Sequence, residues 1–414
     1  MIANRSDSYL AILKKNRSFR FLWYGQVVSE LGDWLNSIAI YTLILEVSNS
    51  SMALAGVMMA KLLPIVIISP IAGVVIDRFD RKWVMIASDL GRFVIVLGFL
   101  TVDGPEDIIL VFILTLLSTA LTGFFEPARS AIIPSLIHRK DLVAANALSG
   151  STWSVMLAFG AAMGGLIVSI AGIRTAFIID AFTFLLSAFL LFNIPSNAPD
   201  LKNSTIANGW SNLRDGLRYL SAQPVILVLT LLKSGLALAG GIMTLIPLYA
   251  NQLFSKPEKI SLAIGILYSA RGLGAAIGPP LARKFFGDSP VALQACIGAS
   301  FILGAICYYL FAWTENLWSA TFALGLATLF GSIIWVYSTA LIHLEAPHHY
   351  LGRIFSVELG LLTLIMGLSN WAVGIAIDRL AMPVSTTTIW IAGIAAIPGF
   401  LWGGFVLLLH RRKS

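Results

Sequence analysis

The stretch IAGVVIDRFDRK, Ile71 to Lys82, ends an apolar run with five charged residues in its last six positions. Only 12% of the chain is charged and 57% is hydrophobic, so such a cluster marks a place where the chain leaves an apolar environment. Over 414 residues the mean hydropathy is +0.85, well above that of a soluble domain. Crossing a hydrocarbon core of about 30 Å takes about 20 apolar residues in a helix, and such runs follow one another on both sides of the cluster. Twelve spans are expected, centred near Ser29, Pro64, Phe93, Leu116, Leu157, Phe182, Gly235, Ala270, Ala299, Leu329, Thr363 and Ala396. The runs are continuous and do not alternate, which excludes a closed β-barrel and leaves an all-α membrane protein.

The formal charge of +7 follows this topology and is no nucleic-acid footprint. Of the 28 lysines and arginines, 20 fall on one side of the expected topology. They lie in the amino-terminal tail (Arg5, Lys14, Lys15, Arg17, Arg20), the second loop (Arg78, Arg81, Lys82) and the fourth (Arg129, Arg139, Lys140). The rest are in the central loop (Lys202, Arg214, Arg218), the eighth (Arg283, Lys284), the tenth (Arg353) and the carboxyl tail (Arg411, Arg412, Lys413). The other side has only Arg174, Lys256, Lys259 and Arg379. By the positive-inside rule both termini and the central loop are expected in the cytoplasm, with the protein multi-pass in the cell inner membrane. The polar amino-terminal 18 residues precede a full-length span, so no cleavable signal peptide is expected. Cys296 and Cys307 are separated by roughly 16 Å along one helix and cannot pair. His138, His343, His348, His349 and His410 lie at span ends or in loops without ligand partners, so neither a metal site nor a cofactor is expected.

One long hydrophilic interruption divides the chain, giving expected domains of residues 1–193, a linker 194–222, and residues 223–414. In the linker Ile206, Trp210, Leu213, Leu217 and Leu220 recur as one stripe of an amphipathic helix flanked by Arg214 and Arg218. A gap-free offset of 209 brings Gly32 onto Gly241, Gly56 onto Gly265, Pro70 onto Pro279, Leu142 onto Leu351 and Gly165 onto Gly374. Two pseudo-symmetric six-helix bundles are the expected result, with a site near the midplane between them.

The opening stretch can now be placed at the end of the second span. Gly73-Val-Val-Ile-Asp77-Arg78-Phe79-Asp80-Arg81-Lys82 resembles the loop signature of the major facilitator superfamily, G-x-x-x-D-R-x-x-R-[RK], with Asp80 where many members have a second glycine. FFEPARSAIIPSLIHRKDLVAANAL, Phe124 to Leu148, and APHHYLGRIFS, Ala346 to Ser356, resemble loops of the bacterial exporter branch that holds macrolide efflux proteins and the enterobactin exporter. The resemblance covers essentially the whole chain. It implies the major facilitator fold and a cytoplasmic gate at Gly73, Asp77, Arg78, Arg81 and Lys82. In that gate Asp77 is expected to accept hydrogen bonds from the start of span eleven while the arginines tie the halves together. Glu126, Arg129, Gly352 and Arg353 are expected as a secondary gate. GAAMGG, Gly160 to Gly165, is similar to the exporter motif G-P-x-x-G-G without its proline, so Gly160, Gly164 and Gly165 form a helix-packing face or a true antiporter motif.

A charge at the bilayer centre costs roughly 2.5–3.5 kcal/mol, so each charged residue within a span calls for a reason. Gln26, Glu30, Asp33 and Ser37 form one stripe of span one. Burial and a like charge one turn away both disfavour a charged carboxyl, which makes Glu30 and Asp33 the expected proton-coupling pair, with a permanently ionised, wetted stripe as the alternative. Lys61 is expected to neutralise one of them, and Asp89 with Arg92 reads as a local pair. Lys233 and Arg271 have no acid in their own spans and are expected to line the substrate cavity with Gln26, Ser37 and Lys61, or to find structural partners. Asp180 reads as peripheral, and Glu358 is expected to face the signature loop.

The mid-membrane charges point to a monomeric secondary transporter in the lipid bilayer driven by protons, and the resemblance implies that it exports a lipophilic or amphiphilic small molecule, a drug or siderophore, against proton entry. No phosphate-binding G-x-x-x-x-G-K-[ST] loop is present, so ATP is not the direct energy source. A lysophospholipid flippase-type carrier, favoured by Lys233 and Arg271, is the alternative. The spans offer no nucleophile and base for an enzyme, and a non-transporting sensor would not need acids at mid-membrane.

Overall fold

The computed structural model describes residues 9–48, 50–138, 141–196, 209–287, 289–347 and 350–411. Among them it is all helical, with helices α1 (Tyr9–Lys15), α2 (Arg17–Ser48), α3 (Ser51–Ala60), α4 (Leu63–Arg78), α5 (Arg81–Gly98), α6 (Ile108–Leu136) and α7 (Leu142–Phe192). These are followed by α8 (Gly209–Ala222), α9 (Pro224–Ala237), α10 (Ile242–Leu253), α11 (Pro257–Phe286), α12 (Pro290–Ala312), α13 (Leu317–Glu345), α14 (Leu351–Asp378) and α15 (Val384–Arg411). Ten helical segments are long and apolar enough to cross a membrane. Helix α2 is not among them because its polar stripe and its end charges dilute its hydropathy. Helix α7 runs for 51 residues but turns back at Gly172, where a φ of 84° takes the chain into a conformation that only glycine adopts freely.

Breaks and starts follow from local chemistry. Pro64 opens α4 and leaves a break at Lys61 and Leu62, because proline offers no N–H to the preceding turn. Asp80 caps α5, its carboxylate accepting from the Lys82 N–H at 2.9 Å. An aspartate in place of the usual glycine therefore starts a helix. Ser50, Ser289 and Asn316 cap α3, α12 and α13 in the same way.

We call the membrane side that carries Arg78 to Lys82 the basic end and its opposite the far end. Buried apolar residues cluster differently at the two. Toward the far end one continuous cluster joins α2, α3, α5, α6 and α7 to α10–α15, drawing Ile44, Leu54 and Phe177 together with Ile246, Ile264 and Leu324. Toward the basic end there are, among the described residues, two separate clusters. One is built from α1, α2 and α4–α7, with Phe19, Met85 and Ile132, and the other from α8, α9 and α11–α15, with Leu229, Ile297 and Tyr337.

Glycine seams make the far-end contact close. A Cβ on Gly165 of α7 would lie 2.8 Å from the Ser261 carbonyl oxygen and 2.9 Å from Gly265 Cα on α11, so backbone meets backbone there. Shifting both partners by the offset of 209 converts this contact into Gly374 against residues 52 and 56. Gly374 of α14 does pack on Met52 and Ala55 of α3. The two seams are thus related by the same repeat that relates the sequences.

Helix α8 lies against the start of α14, with Gly216 on the Arg353 backbone and Tyr219 stacked on Tyr350 at 3.9 Å. Leu220 is buried but Leu217 is half exposed, so the packed face is rotated from the expected stripe. Ile206 lies outside the described residues.

Candidate substrate cavity

A cavity of about 700 Å³ reaches from the break between α3 and α4 to the basic ends of α6 and α7. Its wall holds Glu30, Asp33, Ser37, Lys61, Glu126 and Arg129, interleaved with Trp34, Tyr41, Trp153, Met58 and Met243. Helix α2 brings the first three to one face because they are spaced at three and four residues. The wall is therefore part charged and part aromatic, a few polar groups set among apolar ones as in small-molecule sites generally.

Each acid has a different environment. Glu30 Oε1 accepts from Gln26 Nε2 at 2.8 Å, while Oε2 is buried with no hydrogen-bond partner among the described residues. Gln26 also donates to the Ser149 carbonyl at 2.9 Å, tying α2 to α7; it is buried and, against expectation, is not one of the wall residues. Asp33 is paired with Arg92, a residue only 1% exposed whose guanidinium lies 3.9 Å over the Phe184 ring. Glu126 pairs with Arg129 at 2.5 Å within α6. Lys61 donates to Ser37 Oγ at 2.6 Å, and Ser37 donates in turn to the Asp33 carbonyl at 2.7 Å.

Several expectations change here. Arg92 makes its ion pair with Asp33 on α2 and not with Asp89, which is buried on its own helix. The counter-ion of Asp33 is thus Arg92, while Lys61 is hydrogen-bonded to Ser37, whose hydroxyl is held by the Asp33 main-chain carbonyl and not by its carboxylate. Lys233 is no part of this cavity wall. Its Nζ lies 2.7 Å from Glu358 Oε2, both side chains almost fully buried, and 4.6 Å above the Trp335 ring. Glu358 accordingly faces α9 and not the signature loop. Arg271 lies 5.2 Å over the Tyr268 ring, which stacks on the wall residue Tyr41, and is not itself one of the wall residues.

The signature loop holds to its own side. Arg81 Nη1 donates to the Ala131 carbonyl at 3.0 Å, and Lys82 Nζ to the Phe192 carbonyl at 2.8 Å, so these cations fix α5 to α6 and α7 and do not tie the halves. Asp77 and Arg78 are exposed, and a Cβ on Gly73 would meet nothing within 4 Å. Among the described residues no hydrogen bond joins Asp77 to Gly352–Ser356. Arg353 instead lies 3.8 Å from Asp215 of α8, with Gly352 in open space. Gly160 and Gly164 pack on Trp34, Leu35 and Ile38 of α2, whereas Gly165 faces α11.

Asp180, read as peripheral, is fully buried and accepts from Asn36 Nδ2 at 2.7 Å. Asn36 follows Asp33 by three residues, so its place on the polar stripe was a signal for this contact. The aromatic wall residues gave no signal, since aromatics occur throughout the spans. Among the described residues no group of three or more His, Cys, Asp or Glu is arranged to hold a metal.

Comparison with known proteins assigns this architecture. Macrolide efflux protein A of Streptococcus pyogenes is 23% identical over 393 residues, covering 88% of this chain and 90% of that protein. The enterobactin exporter EntS of Shigella boydii is 25% identical over 330 residues, covering 73% and 76%. An uncharacterized MFS-type transporter of Bacillus subtilis, YfiS, is 27% identical over 224 residues, so the chain spans about half, 52%, of that relative's length. Among solved structures, the nucleoside transporter NupG superimposes with a TM-score of 0.70 at 13% identity, covering 94% of this chain and 98% of that one. A bacterial homologue of the human lysosomal transporter Spinster, in an inward-facing and unoccupied conformation, gives 0.70 at 16% identity, with coverage of 94% and 97%. These structural likenesses show the fold. The family model for transmembrane secretion effectors of the major facilitator type matches residues 8–408, and the chain belongs to that family of membrane transporters.

Proposed function

We propose that the chain is a proton-coupled exporter of a lipophilic or amphiphilic small molecule, drug or siderophore, working by alternating access in the inner membrane. The observation that carries this is the split of the buried core, continuous toward the far end and divided toward the basic end, where the cavity reaches. A protein closed at one side and parted at the other is one of the two states that a rocking carrier exchanges. Counting α2 and both limbs of α7 with the other apolar helices gives twelve spans. They fall into two bundles, residues 1–193 and 223–414, joined by residues 194–222, a division that the paired glycine seams favour. The basic end is then cytoplasmic, with both termini.

Export is the reading that the named relatives favour, since macrolide efflux and enterobactin export are the activities their names carry. Proton coupling falls to Glu30 before Asp33. Asp33 already has an ion pair with Arg92, while Glu30 has none among the described residues and leaves one oxygen without a hydrogen-bond partner in the cavity wall. Of these two acids Glu30 is therefore the one whose charge is less compensated, and adding a proton there relieves the greater cost. The lysophospholipid alternative loses half of its cationic support, because Lys233 is matched by Glu358 and unavailable to a headgroup, while Arg271 has no ion pair among the described residues.

Proteoliposomes carrying the purified chain, loaded with compounds found by a thermal-shift screen of drugs, siderophores and lysolipids, test the reading. Transport should follow an imposed pH gradient. Glu30→Gln should abolish gradient-driven transport while sparing exchange of substrate for substrate. Transport indifferent to the gradient in the parent chain would end the proton-coupling proposal.

A further inference from the structure

The far end of α14 reads Gly374-Ile-Ala-Ile-Asp378-Arg379, which matches Gly73-Val-Val-Ile-Asp77-Arg78 at glycine, aspartate and arginine and keeps an isoleucine before the aspartate. The first copy closes α4 at the basic end, and the second closes α14 at the far end. Helices α3 and α4 run toward the basic end while α14 runs back along them. Each aspartate is therefore at the end of one helix, near the start of the other.

The two copies are in opposite conditions. Asp378 Oδ2 accepts from Ser50 Oγ at 2.7 Å and from the Met52 N–H at 2.8 Å, while Oδ1 accepts from the Ser51 N–H at 3.1 Å. Those N–H groups belong to the first turn of α3, which has no carbonyls of its own to satisfy them and favours an anion. Gly374, one turn earlier, is seated so closely that a Cβ would lie 2.9 Å from Ala55 Cβ and 3.0 Å from Met52 Cα. At the basic end Asp77 is exposed and Gly73 faces open space. One copy is engaged where the core is continuous, and the other is free where the core is divided.

We infer that Asp378 is the far-end counterpart of Asp77, a carboxylate latch on the first turn of α3 that holds the far end shut, and that the carrier exchanges states by releasing one aspartate as it engages the other. The inference rests on the alternating-access reading above. It gives the second copy a task that packing alone does not require, since a carboxylate facing three donors from the opposite bundle acts only while the two are together.

The test uses the full chain in nanodiscs, with Cys296→Ser and Cys307→Ser and spin labels at Glu106→Cys and Glu315→Cys, two exposed far-end positions on opposite bundles. Pulsed electron–electron distance measurement should give two populations in the parent chain. Asp378→Asn should raise the ratio of long to short distances about tenfold, equivalent to about 1.4 kcal/mol. Asp77→Asn should lower that ratio, and the double variant should return it toward the parent value. Gly374→Ala, which crowds the same contact without touching the carboxylate, should raise it too and serves if Asp378→Asn folds poorly. Two populations that Asp378→Asn leaves unmoved would overturn the latch and leave alternating access standing. A single far-end distance unmoved by substrate, by pH and by every variant would overturn both.

Discussion

Replacing Glu358 with Gln should destabilise the protein by about 3 kcal/mol, near the lower edge of the cost of orphaning a buried charge. Lys233 Nζ lies 2.7 Å from Glu358 Oε2, with the side chains 6% and 5% exposed. At an effective dielectric of about 20, unit charges at that separation attract by about 6 kcal/mol, which the loss of their hydration largely offsets. Intact, the pair therefore contributes little net stability. Once broken, it leaves an ammonium facing the Trp335 ring, 4.6 Å from the centroid, and the Phe355 ring at 5.7 Å, with no anion. Glutamine still offers Lys233 an oxygen, so Glu358→Met should cost more, toward about 5 kcal/mol. Lys233→Met with Glu358→Met together should recover most of the loss, because the cost lies in the unmatched partner and not in the missing pair. Thermal unfolding in detergent of the two single variants and the double completes the cycle. A double variant that loses as much as the two singles summed would refute the argument, and so would a Glu358→Gln midpoint equal to that of the parent.

Conservative changes at the two acids of α2 should part company. Asp33→Asn leaves Arg92, which is 1% exposed, without its counter-ion and should lower the unfolding midpoint, whereas Glu30→Gln orphans no cation and should leave it in place; equal midpoints would contradict the assignment of Arg92. Gly165→Ala should cost about 1–3 kcal/mol by overpacking, since its Cβ would stand 2.8 Å from the Ser261 carbonyl oxygen, and should lengthen the far-end label distance; an unchanged distance would mean that this seam is not tight. Asp80→Ala should cost about 1 kcal/mol and Asp80→Gly only a few tenths, read by thermal unfolding, because the carboxylate caps α5; identical losses would rule out the cap.

The spans were legible because crossing a bilayer imposes a length and a composition on consecutive residues, and no packing choice alters that. The repeat was legible for a similar reason: Leu142 and Leu351, aligned by the offset, are the first residues of α7 and α14. Side-chain partners were not. Asp89 and Arg92 are three apart on one helix, which reads as a pair, yet a long guanidinium stem next to α2 turns to Asp33 and lies on Phe184. Lys233 and Glu358 are 125 residues apart, and nothing in either span announces the other. The signature cations show the same limit, since Arg81 and Lys82 meet the carbonyls of Ala131 and Phe192, groups that every residue carries and no sequence pattern marks.

Where the strong contacts lie bears on how such a carrier moves. The buried ion pairs Arg92 with Asp33 and Lys233 with Glu358 each join helices of one of the two proposed bundles. Across the two bundles the contacts are of another kind: glycine seams at Gly165 and Gly374, the Ser269 hydroxyl donating to the Ala158 carbonyl at 2.6 Å, and the Asp378 carboxylate on α3. Separating a buried ion pair at each turn would leave two unmatched charges, several kcal/mol apiece, a barrier no modest driving force could meet quickly. Parting a seam of small residues and moving a carboxylate at a helix end into water costs far less, because the freed amides and the carboxylate are both hydrated at the membrane edge. The charges that would be expensive to separate are thus kept inside each proposed bundle, and the Asp378 carboxylate between them is placed where water can replace its partners. On that division the proposed proton coupling would need to supply only the small difference between two latched states, a bias that one cavity-wall carboxyl without an ion pair among the described residues, Glu30, is placed to give.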